Sequence, residues 1–120
     1  MALTFYDRTG TAVAYTEDGV DVYLFDGEPV AYLEGDAVYA YSGAHLGWFE
    51  DGWVRDHAGY CVFFTEVASG DGPIKPIEHI RPIKLAKRQL PIRGIRQIAP
   101  VKPIKHLTWS ELSGEAFFRS

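Results

Sequence analysis

The sequence predicts an all-β domain. Four β-hairpins close into a pseudo-fourfold ring, and each hairpin is joined by one extended segment of a Pro-Ile-Lys/Arg repeat tail. Three observations carry this prediction. Residues 4–66 repeat four times around glycines spaced 17, 16 and 16 apart. Residues 73–108 repeat four times with a period of nine. The two stretches also carry opposite charge, so each is a natural partner for the other.

The first stretch aligns on Gly10, Gly27, Gly43 and Gly59. Five residues before each glycine stands Phe5, Val22, Val38 or Val54. Three after it stand Val13, Val30, Leu46 and Val62, and five after it Tyr15, Tyr32, Trp48 and Phe64. Short arms rich in β-branched and aromatic residues on either side of a glycine read as a β-hairpin. The glycine supplies the positive φ of a tight turn. Glu17-Asp18-Gly19, Glu34-Gly35-Asp36 and Glu50-Asp51-Gly52 supply turns between the units. About eight short antiparallel strands result. A lone hairpin is marginal, so four equal ones are expected to ring a common axis.

The tail is read in threes. Its six prolines (73, 76, 82, 91, 100, 103) share one phase. Ile74, Ile77, Ile80, Ile83, Ile92, Ile95, Ile98, Val101, Ile104 and Leu107 share the next, and most of the Lys and Arg residues hold the third. Period three is the polyproline II repeat. Six prolines exclude a coiled coil, and ten apolar side chains on one stripe argue against a free linker. The copies 73–81, 82–90, 91–99 and 100–108 therefore each cross one hairpin. Residues 109–120 differ in kind. Ser110 is placed to cap a helical turn through Leu112, with Gly114 ending it. Trp109, Leu112, Phe117 and Phe118 are apolar enough to plug one end of the ring.

Composition bounds the rest. At 120 residues the chain is one domain. Residues 1–72 carry 13 acidic and 2 basic side chains, and residues 73–108 carry 9 basic and 1 acidic. A basic block can meet nucleic acid or an anionic surface. Here an acidic head neutralises a basic tail of the same chain, which argues against nucleic acid. No apolar run approaches 18 residues, so no membrane span is read. Cys61 is the one cysteine. It allows no intramolecular disulfide, in keeping with a cytoplasmic protein.

The run FYDRTG, VAY, VYLFDGEPVAYL, VY and HLGWFEDGWVRD, followed by Pro-Ile-Lys repeats and a terminal WSELSGEAFF, resembles the bacterial four-fold β-flower proteins. The resemblance spans essentially the whole chain. It implies the fold, four β petals about a pseudo-fourfold axis, and implies no activity, cofactor or partner.

Candidate chemistry sits where the repeats agree or break. Seven residues after each glycine stand Glu17, Glu34, Glu50 and Glu66. A carboxylate ring could hold a cation, but the third-position cations Lys75, Lys84, Arg93 and Lys102 match it in number and period, which favours pairing. Four residues after each glycine stand Ala14, Ala31, Gly47 and Phe63. Crowding at the axis asks for small residues there, with one large side chain to fill the centre. Arg55 occupies the position that Tyr6, Tyr23 and Tyr39 hold in the other copies. Ring closure would bring Asp7 and Arg8 to Arg55, Asp56 and His57 as a polar cluster at the seam. That cluster reads as a salt-bridge network closing the ring, or as a site for a small anionic ligand.

The four histidines show no zinc spacing. No nucleophile elbow, Walker loop or dinucleotide fingerprint occurs. No catalytic residue, metal or cofactor is expected, and Cys61 reads as a core residue. The expectation is a small cytoplasmic binding or adaptor module with a protein partner or anionic ligand. The alternative is a self-associating scaffold subunit. An enzyme would have to use the seam. The oligomeric state is left open.

Overall fold

A computed structural model describes residues 1–112 and 114–120. It contains eight strands: β1 (Leu3–Tyr6), β2 (Ala12–Thr16), β3 (Asp21–Leu24), β4 (Pro29–Glu34), β5 (Ala37–Tyr39), β6 (His45–Glu50), β7 (Trp53–Arg55) and β8 (Cys61–Phe64). Each pairs antiparallel with its sequence neighbour, and β8 returns to β1 through Tyr6 and Phe64. The sheet is thus a closed barrel with no free edge, which removes the liability of short hairpins.

All four hairpins turn alike. The glycine N–H donates to the carbonyl three residues back: Gly10 to Asp7, Gly27 to Leu24, Gly43 to Ala40 and Gly59 to Asp56. Each glycine lies at φ between 83° and 98°. The register shifts just before each turn, at Phe5/Tyr6, Val22/Tyr23, Val38/Tyr39 and Val54/Arg55. Such a turn, a left-handed residue plus a bulge, is a standard hairpin closure, and here the sequence repeat becomes a geometric one.

Alternation along the strands separates two environments. Phe5, Val22, Val38 and Val54 point into the barrel with Val30, Leu46 and Val62. Ala14 and Ala31 are fully buried there, and Phe63 fills the centre against Phe5, Phe117 and Phe118. Gly47 has no room for a side chain, because a Cβ would meet the Arg55 carbonyl and the Phe117 ring. What remains along the axis is an apolar cavity of about 10 Å³, at the limit of what a single water needs. The barrel is a packed core and not a pore.

The outward side chains form stacked aromatic pairs across the gaps between hairpins. Tyr15 stacks on Tyr23 at 5.9 Å, Tyr32 on Tyr39 at 5.7 Å and Phe64 on Tyr6 at 5.2 Å. The tail crosses the first two pairs, and Trp109 packs on Phe64 of the third. The tail's N–H groups at His79, Arg88, Gln97 and His106, nine residues apart, donate to the carbonyls of Gly10, Gly27, Gly43 and Gly59 at 2.8–3.1 Å. Leu85 and Gly94 add bonds to Phe25 and Tyr41. Each turn glycine lies so close under a tail carbonyl (Ile77, Ala86, Ile95 or Ile104) that a Cβ would collide with it. The glycines are therefore demanded twice, by backbone sign and by docking.

The C-terminal segment departs from expectation. A 3-10 turn forms at Glu115–Arg119, after Gly114, while the turn expected from Ser110 to Gly114 includes Ser113, which lies outside the described residues. Gly114 is at φ 96°, and Ser110 bonds on both sides. Its hydroxyl donates to Asp56 and accepts from the Leu112 N–H. Phe117 and Phe118 enter the barrel core, and Arg119 forms a two-pronged bond to Glu28. Trp109 instead packs outside, on Trp53 and Phe64. Leu112 is exposed.

Candidate functional site

The repeated glutamates stand where strands two, four, six and eight end, at the rim facing the tail. Lys84 reaches Glu17 and Lys102 reaches Glu50, both at 3.2 Å, the third-position pairing expected from the period. The other two pairs shift. Glu34 takes Arg96 at 2.5 Å, while Arg93 lies 3.9 Å above the Tyr32 ring and 3.7 Å from Asp21. Glu66 accepts from the Thr4 N–H and faces Arg81 at 3.8 Å, and Lys75 donates to the Ala68 carbonyl. Arginine's planar head stacks on an aromatic face as readily as it pairs with a carboxylate, which is why the ion pairing slips by one triplet in the third repeat.

Lys87 also bonds Glu17, and with Lys84 it holds that carboxyl below its usual range. Lys102 does the same to Asp36. Lys84 and Lys87 lie over Tyr15 and Tyr23, and Arg96 over Tyr39. The cation stripe is thus turned inward, onto aromatic rings and carboxylates of its own barrel. Among the described residues no group of three or more His, Cys, Asp or Glu side chains is placed to hold a metal.

The seam residues are directed to separate tasks. Asp7 accepts from the N–H groups of Thr9 and Thr11 and from the Thr9 hydroxyl, so it organises the first turn. Asp56 does the equivalent for Ala58 and Tyr60 and also accepts from Ser110 at 2.5 Å. Arg8 is exposed at the tip of the first turn. Arg55 is only 4% exposed. It donates to the carbonyls of Gly59, His106 and Asp71 at 2.8, 2.7 and 2.5 Å. Asp71 precedes the tail and His106 nearly ends it, so one guanidinium ties both ends of the tail to the fourth hairpin. The three other hairpins have no chain end to hold, and there the position is tyrosine.

His57 points away from the seam, to His45 of the third hairpin, with 2.9 Å between Nδ1 of His45 and Nε2 of His57. His45 is buried between Tyr39 and Trp48, and its Nε2 has no hydrogen-bond partner. Burial, and then the neighbouring His57, lower its pKa. No sequence motif announces this pair, because its members belong to different repeats. Cys61 is fully buried, and burial raises its thiol to about 11. It is the inert core residue the alternation predicts.

With one tail stripe facing in, the apolar stripe faces out. Its ten Ile, Val and Leu side chains are 60–98% exposed, and nine of them at least 81%. Such a row, broken at Ala86 and Gln89, is far from the scattered single apolar residues of an ordinary surface. No helix among the described residues is long and apolar enough to cross a membrane. Among protein families, the model described as "4-fold beta flower protein" matches residues 3–118. Neither the curated proteins nor the solved structures give a match.

Proposed function

The chain belongs to the 4-fold beta flower family, and from that premise we propose that it is a non-catalytic interaction module, a rigid barrel that presents its apolar tail stripe to another macromolecule. One observation carries the reading: the row from Ile74 to Leu107 points to solvent while the cations beside it point inward. An apolar row held outward by a dedicated framework is what an interaction surface requires. The polar candidates support the same reading. Arg55, Asp7 and Asp56 each satisfy several groups of their own fold, and the glutamates are occupied by tail cations. A cytoplasmic setting is proposed with it, on the strength of the reduced, buried Cys61.

The reading is tested by serine substitutions at Ile80, Ile95 and Ile98, made singly. A solvent-facing row binds a hydrophobic dye in the native state and loses that binding stepwise, with stability changed by less than about 0.5 kcal/mol each. No dye binding, together with losses of about 2 kcal/mol or more per substitution, is what a buried isoleucine would give and would refute it.

A further inference from the structure

We infer that the partner of the apolar stripe is a second copy of this chain, so that the protein self-associates through its tail; this rests on the reading of the stripe as an interaction surface. The argument begins with area. A fully buried aliphatic side chain corresponds to on the order of 100 Å² of apolar surface. Ten of them at 60–98% exposure present on the order of 1,000 Å² in total, spread over the tail segments docked on the four hairpins. A stable interface takes about 800 Å² from each partner, and a monomer ordinarily shows an apolar patch of about 300–600 Å².

Charge decides what kind of partner fits. Counting every third residue from Ile74 to Leu107, the stripe holds apolar residues interrupted only by Ala86 and Gln89. It carries no charge at all, so it offers nothing to an acidic peptide or a polyanion. The neighbouring cations are engaged by their own barrel, Lys84 and Lys87 by Glu17, Arg96 by Glu34 and Lys102 by Glu50. The chain as a whole bears a net charge of −4, so it has no overall attraction to an anionic lipid surface. An uncharged aliphatic ridge with a repeating profile is complementary to itself. Symmetric association of identical surfaces is the commonest solution for such a patch.

Sedimentation of the full chain over micromolar to submillimolar concentrations reads this directly. The wild type is expected to sediment as a dimer or larger. Ile95→Ser and Ile98→Ser, at positions 96% and 95% exposed, are expected to weaken association by about tenfold for each side chain buried, with unchanged circular dichroism. Glu115→Ser, in the C-terminal turn, is the control that leaves association as it was.

A wild type that stays monomeric to several hundred micromolar overturns the inference. If that monomer binds the hydrophobic dye, the stripe is an interaction surface for a different protein, and the broader reading stands. If it floats with neutral phosphatidylcholine vesicles, the occupant is a lipid surface instead. If it binds neither dye nor vesicles and the serine variants lose stability, both readings fall together.

Discussion

Replacing Gly27 by alanine tests whether the tail truly docks on the hairpin turns, and Gly35→Ala supplies the internal reference. Both glycines have positive φ, 96° and 60°. An alanine in that region costs about 1 kcal/mol, partly offset by a less flexible unfolded chain. At Gly35 the cost ends there, since nothing lies within 4 Å of the added Cβ. At Gly27 the Cβ runs into the backbone carbonyl of Ala86 and approaches Lys87. Backbone cannot rotate out of the way as a side chain can, so the repeat has to lift.

Lifting it breaks the 2.9 Å bond from the Arg88 N–H to Gly27 and the 2.9 Å bond from Leu85 to Phe25. At about 1 kcal/mol net for each bond, Gly27→Ala is expected to destabilise by about 3 kcal/mol and Gly35→Ala by about 1. Equilibrium urea unfolding measures the two values. Hydrogen exchange of the Leu85 and Arg88 amides locates the difference. Equal costs for the two variants, or unchanged protection at Leu85 and Arg88, would refute the docking argument.

Two further outcomes follow from single groups. Arg55→Ala leaves three acceptors without their charged donor, so thermal denaturation should show a loss of about 3 kcal/mol or more; a variant as stable as wild type would mean that Arg55 serves something other than closing the tail. His45, whose pKa is lowered by burial and by His57, resists the proton that the unfolded chain accepts near its ordinary value of about 6.5. Its contribution to stability is therefore complete above about pH 6.5 and is lost as pH falls toward the lower folded value. Denaturant midpoints should fall as pH drops below about 6.5 in the wild type and stay flatter in His45→Gln, above the window where Glu17, Glu28 and Asp36 begin to protonate. Equal slopes would remove His45 from the account.

Several features were legible in the chain because they are local or periodic. The four glycines with their flanking β residues announce four hairpins. The equal count of tail repeats announces one extended segment per hairpin. Ala14, Ala31, Gly47 and Phe63 announce a crowded axis. Arg55 announces itself by breaking the tyrosine pattern at its position, although its partners do not: Gly59 is near in sequence, but Asp71 and His106 are 16 and 51 residues away.

By itself the sequence determined a repeat, its order and its charge segregation, all of which are properties of spacing along a line. Which tail stripe faces the barrel is a different kind of fact. A polyproline-type helix has three equivalent sides, and its periodicity is the same whichever side is buried. The tertiary structure decided it: the surface the tail crosses is made of tyrosine faces and carboxylates, which hold Lys and Arg through ring and ion contacts and leave the isoleucines to solvent. The pairing of His45 with His57, the slip of Arg93 onto Tyr32 and the entry of Phe117 and Phe118 into the core were decided in the same way, by which surfaces meet once the barrel has closed.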